Sequence, residues 1–141
     1  QHGLSDFVVG ANNLAFIDML WQQWSPGFVS QVDVDNAKAC LAQPENLAAT
    51  LGYYRATLGA GYRDPQLEEA QAVLQSETPT QPLLYLHGST DGCIGAEVAA
   101  DAATRAPENA RVEIVQGAGH FMQLEKPAEV NKLIIDWITA K

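Results

Sequence analysis

The sequence predicts an α/β protein in which a helical region precedes two parallel strands with flanking helices. A short continuous apolar run at 83–87 is typical of a strand that helices cover on both faces, and residues 111–115 form a second strand candidate. One helix-forming segment separates these two segments and another follows them. This order favours a right-handed parallel crossover. Because two strands alone leave ladder edges without neighbours, further strands are expected upstream in a longer polypeptide or from another chain.

The first region predicts helices only. The first helix follows a cap at Asn12 or Asn13 and stops at Ser25-Pro26-Gly27. Asp33 is the predicted cap of a second helix, which Gln43-Pro44 ends. The apolar side chains of the first helix recur at helical spacing at Leu14, Ile17, Leu20, Trp21 and Trp24.

A third helix follows at once and stops at Gly59-Ala60-Gly61. Its apolar stripe consists of Leu47, Leu51, Tyr54 and Leu58. The spacing of this stripe places Tyr54 on the predicted buried face. Asp64-Pro65 opens a fourth, weaker helix. The polar, proline-containing segment 76–82 is the predicted junction with the next region.

The second region alternates strands and helices. The strand at 83–87 ends at Gly88, and an alanine-rich helix is predicted at about 96–105. A turn at 107–109 leads into the strand at 111–115. After a loop, Pro127 opens the last helix, because proline suits a first helical position.

The composition excludes several classes of partner. Eight Lys and Arg against seventeen Asp and Glu give the 141 residues a formal charge of −9. No basic run could follow nucleic acid or an anionic membrane, and every apolar stretch is far shorter than the roughly 20 residues that cross a bilayer. Cys40 and Cys93 lack metal-ligand spacing, so reduced thiols and a cytoplasmic location are expected. Any targeting segment would have to precede Gln1.

Two glycine-rich loops follow the predicted strands, and each carries one ionisable side chain. Asp91 comes four residues after His87, and His120 comes five residues after Val115. Adjacent parallel strands lie ~5 Å apart and their carboxyl ends meet at one edge, so the two side chains are expected within hydrogen-bond reach. A carboxylate placed there fixes the tautomer and orientation of an imidazole base.

Each of these residues also has a structural interpretation. An isolated Asp in a glycine-rich turn most often accepts hydrogen bonds from its own backbone, and an isolated His after a strand most often packs. Their joint placement at successive strand ends favours the functional interpretation. His87 and His2 lack such placement. His87 is predicted to be a packed or capping residue, and His2 to lie near a frayed end.

The segment 82–91, which reads PLLYLHGSTD, is followed by Gly119-His120-Phe121 and then by Glu125-Lys126-Pro127. This order and spacing resembles the closing portion of the α/β-hydrolase superfamily. The segment 51–55, which reads LGYYR, is similar to the Tyr-Arg lid helix of the epoxide hydrolase and haloalkane dehalogenase branch. Relatives acting on other substrates share that helix. The resemblance extends from residue 12 to the end of the chain.

The resemblance implies a nucleophile–His–acid triad in which Asp91 orients the base and His120 activates water against a covalent ester, without metal or organic cofactor. It implies that Tyr54 donates a hydrogen bond to an epoxide oxygen; a core aromatic with a locally bonded hydroxyl is the equal alternative. Residues 1–78 would form the helical lid (cap) and 79–141 the last part of the core. Candidates for contacting a small apolar substrate are Trp21, Trp24, Tyr53 and Phe121, with simple packing as the alternative for the tryptophans.

The nucleophile of such an enzyme lies in a Gly-x-Ser-x-Gly elbow, or the same elbow with Asp in the serine's place, and these 141 residues contain neither. The chain is therefore expected to be the C-terminal portion of a hydrolase, with the nucleophile supplied by an N-terminal half or a partner chain. An epoxide is the leading substrate, and ester hydrolysis and dehalogenation stay open. The alternative is a non-catalytic binding or interaction module of the same fold.

Overall fold

The computed structural model describes residues 3–59, 61–76 and 80–140, which fall into two compact units. The first unit contains the residues up to Leu20 and those from Ser30 to the end of the fourth helix. The second contains Trp21–Val29 and the residues from 80 onward. The predicted junction between 78 and 79 lies outside the described residues, as does His2.

Helix α1 (Leu4–Trp24) consists of two helical segments joined at a kink. Asn12, Asn13 and Leu14 have φ values of 51°, 54° and 57°, in the left-handed region. Asparagine tolerates this region, whereas leucine pays roughly 1–2 kcal/mol for it; the Leu14 side chain is buried, which offsets that cost. The predicted helix after the asparagines is confirmed. The asparagines turn the chain rather than cap that helix, and the helical segment before them was not predicted.

Helices α2 (Gln31–Leu41) and α3 (Pro44–Leu58) follow in the first unit. The cap predicted at Asp33 is wrong, because α2 begins two residues earlier and Ser30 is its N-cap residue. The Ser30 hydroxyl donates a hydrogen bond to the Asp33 carboxylate at 2.5 Å. Pro44 stands at the start of α3 and Gly59 at its end, as predicted.

The predicted fourth helix is a short 3₁₀ turn, Pro65–Leu67, that continues into α4 (Glu68–Ser76). The Asp64 carboxylate accepts a hydrogen bond from the Gln66 N–H at 3.0 Å and so caps the turn. Two ion pairs tie the first unit together. Lys38 and Asp18 lie 2.8 Å apart, and Arg55 pairs with Asp6.

The second unit is built on two strands, β1 (Leu83–Gly88) and β2 (Ala110–Val115), which pair in parallel as predicted. The register runs from Leu83 opposite Ala110 to Gly88 opposite Val115, so both strands end at the same level. The loops that carry the candidate residues therefore leave the sheet side by side.

Helix α5 (Ala96–Arg105) contacts both strands, and α7 (Pro127–Thr139) contacts β1. A one-turn helix, α6 (Met122–Glu125), precedes α7 and was not predicted. The apolar core of this unit consists of Val115, Ala118 and Val130, against which Leu86, Met122 and Leu133 pack. This core lies directly beneath the loop after β2. Among the described residues, none of the helices has both the length and the apolar character that crossing a bilayer requires.

Candidate functional site

The loop after β1 holds the Asp91 carboxylate with its own backbone. Oδ1 accepts hydrogen bonds from the N–H groups of Cys93 at 2.8 Å and Ile94 at 3.0 Å. The Asp91 N–H donates to the Gly88 carbonyl at 3.2 Å. A carboxylate that accepts from N–H groups two and three residues ahead closes a tight turn. Oδ1 is therefore engaged within the loop, and Oδ2 is left for a partner outside it.

That partner is His120, whose Nδ1 lies 3.0 Å from Oδ2 of Asp91. The Asp91 side chain is 7% exposed and the His120 side chain 29%. Because an ionised carboxylate only accepts, Nδ1 carries the proton, and Nε2 is the ring nitrogen left for water or substrate. The predicted proximity of these two side chains is confirmed. Their catalytic roles remain predictions.

The electrostatics suit a carboxylate that stays charged. Burial raises the pKa of Asp91, but hydrogen bonds from the Ile94 N–H, from His120 and from the Cys93 N–H outweigh burial and hold that pKa below its usual value. The charge on Asp91 can therefore stabilise an imidazolium when His120 takes up a proton. Burial, followed by the negative charge of Asp91, raises the pKa of the Cys93 thiol. Cys93 is thus a poor nucleophile, since the thiolate is the reactive form.

The Trp24 carbonyl oxygen joins the two loops. It accepts hydrogen bonds from the His120 N–H at 2.9 Å and from the Gly92 N–H at 3.1 Å. The backbone approaches so closely that a Cβ at Gly119 would lie 2.6 Å from the Ser25 Cα and 2.8 Å from the Trp24 carbonyl oxygen. Glycine is therefore required at position 119 by lack of space.

Ser25 and Glu125 form a second connection around the base. The Ser25 side chain is fully buried; its hydroxyl accepts from the Phe121 N–H at 3.0 Å and donates to Oε1 of Glu125 at 2.8 Å. Oε2 of Glu125 accepts from the Gly119 N–H at 2.8 Å. Both residues next to His120 are thus fixed by hydrogen bonds to their backbone.

Three of the predicted substrate-contacting residues gather at the His120 ring. The Trp24 and His120 ring centroids lie 4.9 Å apart in an edge-to-face arrangement, and those of His120 and Phe121 lie 5.3 Å apart. Trp21 stacks on Phe121 with centroids 4.0 Å apart. The structure therefore brings these aromatic rings together with one another and with the ring of the candidate base.

His87 is packed in the structure, as predicted. It is buried, with Nδ1 2.9 Å from the Tyr85 hydroxyl and Nε2 3.0 Å from the Ile94 carbonyl oxygen. A carbonyl oxygen only accepts, so Nε2 carries the proton and Nδ1 accepts from the tyrosine. His87 thereby supports the same turn that holds Asp91.

Tyr53 and Tyr54 lie on α3 in the first unit, with ring centroids 5.4 Å apart. Tyr54 is 50% exposed and Tyr53 68%, so the burial predicted for Tyr54 is wrong: the stripe it shares lines an open apolar cavity rather than a closed core. That cavity, of about 660 Å³, is bordered by Leu51, Tyr54 and Leu58, among others. The proposed contact of Tyr54 with substrate stays a prediction.

Sequence reasoning missed the roles of Ser25 and Glu125. Ser25 was interpreted only as a helix stop, and Glu125 only as part of a motif. The two residues are 100 positions apart, and their pairing leaves no periodic pattern in the sequence. Their one available signal was the position of Glu125 between His120 and the proline that opens α7.

Cys40 and Cys93 are both free and exposed. Within 3–59, 61–76 and 80–140, the side chains of His, Cys, Asp and Glu form no group of three or more that could hold a metal ion.

Comparison with known proteins agrees with this architecture. No family model matches the chain. It is 27% identical over 113 residues to a curated protein of Bacillus subtilis (strain 168), the AB hydrolase superfamily protein YfhM. This likeness supports the α/β-hydrolase superfamily. The match covers 80% of the chain but 36% of the relative, so the chain spans about a third of that protein's length.

Proposed function

We propose that Asp91 and His120 are the acid and base of a nucleophile–His–acid triad in an α/β-hydrolase, and that the nucleophile comes from polypeptide outside these 141 residues. The observation that carries the proposal is the 3.0 Å contact between Nδ1 of His120 and Oδ2 of the nearly buried Asp91. The resemblance of both loops to the superfamily, and the likeness to an AB hydrolase superfamily protein, support the same assignment.

The reaction proposed for this pair has two steps. For an epoxide, a carboxylate nucleophile first attacks a ring carbon and forms a covalent ester, while the carbon–oxygen bond of the ring breaks and the released oxygen takes up a proton from a phenolic O–H, the role proposed for Tyr54. Nε2 of His120 then takes a proton from water, and the oxygen of that water adds to the ester carbonyl. Collapse of the adduct breaks the ester bond, and the departing alkoxide takes up the proton as the alcohol product. Asp91 stabilises the imidazolium between these events.

An epoxide is the proposed substrate, and a carboxylate the proposed nucleophile. Tyr54 supports this choice, because ring opening develops negative charge on an oxygen that a phenolic O–H can stabilise. Its exposure on the border of an apolar cavity in the first unit leaves the hydroxyl available to a ligand. Trp21, Trp24 and Phe121 supply an apolar surrounding for a small substrate near His120. Ester hydrolysis and dehalogenation are the alternatives within the same two-step scheme.

The decisive experiment uses the full natural polypeptide and its His120→Ala variant with a panel of small epoxides, carboxylic esters and haloalkanes. The variant is expected to gain the mass of one substrate-derived adduct and then to stop, because water is no longer activated. Intact-mass spectrometry measures the adduct, and product release measures turnover. Gln123→Ala, an exposed change on α6, is the control and is expected to turn over normally.

Normal steady-state turnover by the His120→Ala variant would remove His120 from the mechanism. An adduct formed from an epoxide or from a haloalkane decides between these two substrates, whereas an ester that the wild type hydrolyses and that leaves no adduct on the variant would indicate a serine nucleophile, because serine itself needs the base. A full polypeptide that contains no nucleophile elbow and forms no adduct with any of the three classes would favour the non-catalytic binding module instead.

A further inference from the structure

Glu125 is a partly buried carboxylate whose two oxygens are both occupied by neutral donors. Oε1 accepts from the Ser25 hydroxyl and Oε2 from the Gly119 N–H, each at 2.8 Å. Hydrogen bonds to an ionised acceptor are shorter and stronger than those between neutral groups, and two of them fix both the position and the plane of the carboxylate. Glu125 is therefore an anchor of defined orientation.

The hydrogen bonds accepted by Glu125, Trp24 and Ser25 all come from the backbone at or next to His120. Three consecutive N–H groups are involved: that of Gly119 donates to Glu125, that of His120 to the Trp24 carbonyl, and that of Phe121 to the Ser25 hydroxyl. Their donor–acceptor distances lie between 2.8 and 3.0 Å. Three adjacent amides held in this way fix the direction in which the His120 side chain leaves the loop.

This constraint affects the hydrogen bond between His120 and Asp91, which tolerates little change in its geometry. Nδ1 of His120 already lies 3.0 Å from Asp91, and a hydrogen bond weakens steeply when its distance or angle departs from the optimum. A displacement of 1 Å at a reacting group costs up to ~100-fold in rate. The Ser25–Glu125 pair is thus placed to affect the rate of proton transfer without touching a reacting atom.

We infer that Glu125 and Ser25 are positioning residues for the base: together they hold the His120 loop in the geometry that water activation requires. The inference rests on the proposed role of His120. It assigns a role to two side chains outside the proposed triad. One of them, Ser25, lies 95 residues before His120 in the sequence.

The test uses the full natural polypeptide and the variant Glu125→Gln. The variant keeps the size and shape of the side chain but replaces one charged accepting oxygen with an NH2 group, so the two charge-assisted hydrogen bonds to the Ser25 hydroxyl and the Gly119 N–H are lost or weakened. The matched control is Glu129→Gln, an exposed change in the first turn of α7. Steady-state kinetics with the substrate class that labels the His120→Ala variant give kcat and KM separately, and thermal unfolding confirms that each variant is folded.

For a carboxylate nucleophile, only the second step needs the base. Glu125→Gln is therefore expected to lower kcat roughly 10- to 100-fold and to lower KM with it, leaving kcat/KM unchanged while adduct accumulates. A merely structural role would instead reduce the fraction of folded enzyme, which lowers kcat and kcat/KM together and leaves KM alone. Glu129→Gln is expected to match the wild type.

Ser25→Ala provides an independent variant if Glu125→Gln fails to fold. It removes the hydroxyl between Glu125 and the Phe121 N–H but leaves the Gly119 contact in place. The same joint fall of kcat and KM is expected, to a smaller degree. In both variants the Phe121 amide should exchange its hydrogen with solvent faster than in the wild type.

The outcomes separate the two proposals. A stalled His120→Ala variant together with a Glu125→Gln variant that behaves like Glu129→Gln would overturn this inference alone. A fall in kcat with KM unchanged would overturn it too, because it would show loss of folded enzyme. Normal turnover by His120→Ala would overturn the proposed function and this inference with it.

Discussion

The two loops that carry Asp91 and His120 are held in opposite ways. The carboxylate is fixed by N–H groups two and three residues ahead of it. The loop of the imidazole is fixed by residues about a hundred positions away, since Ser25 bonds to Phe121 and to Glu125 across sequence separations of 96 and 100. The Asp91 side chain is therefore positioned by turn chemistry, with one further hydrogen bond from the Gly92 N–H of its loop to the Trp24 carbonyl, whereas the backbone at His120 is positioned only once the segment around Ser25 has docked.

The difference also fits the roles proposed for the two side chains. A locally closed turn leaves the Asp91 side chain 7% exposed and able to keep one fixed charge. The His120 ring is 29% exposed, and aromatic side chains pack around it. A base has to meet water, so its loop cannot be closed around it. The distant contacts fix its backbone and leave the ring open.

The largest effect should come from Asp91→Asn. This substitution separates two functions of the side chain, which are to close its own turn and to hold the His120 ring. The amide oxygen can still accept from the Cys93 and Ile94 N–H groups, but the amide nitrogen cannot accept from Nδ1 of His120. The turn should survive while the imidazole loses its correct tautomer, which lowers kcat by about 10⁴-fold. Turnover of the full polypeptide measures this, and thermal unfolding checks the turn. Near-normal turnover would show that the orientation of His120 does not depend on the Asp91 carboxylate.

A smaller effect is expected from a substitution at Gly119, where the segment around Ser25 packs closely against the backbone of the His120 loop. In Gly119→Ala the new Cβ would lie 2.6 Å from the Ser25 Cα, so the docked segment must shift, at a cost of about 1–3 kcal/mol. The control is Gly52→Ala in α3, where a Cβ meets nothing within 4 Å. Alanine is the better helix former there by ~1 kcal/mol. Urea unfolding measures the free energy of unfolding of both variants. Equal stability of the two variants would contradict the docking of Ser25 against the loop.

The smallest effect is the pH dependence of the local turn. The folded-state pKa of Asp91 lies below its usual value of 3.8. Its stabilising contribution is therefore fully present above the unfolded pKa and is lost as the pH falls below 3.8 through the folded pKa. Urea unfolding from about pH 6 to about pH 3 should show the stability difference between wild type and Asp91→Asn shrinking. A constant difference would mean that the carboxylate charge does not stabilise the fold.

Local patterns predicted most of the elements. The apolar run at 83–87, the strand candidate at 111–115 and the helix between them predicted both strands and their parallel pairing, and the alanine-rich segment predicted α5 with the same bounds. The helix cap predicted at Asp33 is wrong, because the structure has Ser30, three residues earlier, as the N-cap residue of α2. The apolar stripe of α3 has the spacing of a buried face, yet Tyr54 is half exposed. Periodicity identifies an apolar face and does not say what covers it.

By itself, the sequence determined the candidate acid Asp91, the candidate base His120 and their separation along the chain, because strand ends, glycine-rich turns and carboxylate turn chemistry are encoded within a few residues. It also determined the approximate contact between them, since parallel strands of equal register bring their loops together. Only the tertiary structure decided how the base is held. Trp24, Ser25 and Glu125 meet around His120 through contacts between distant parts of the chain, and such contacts follow from packing rather than from any local preference of the backbone.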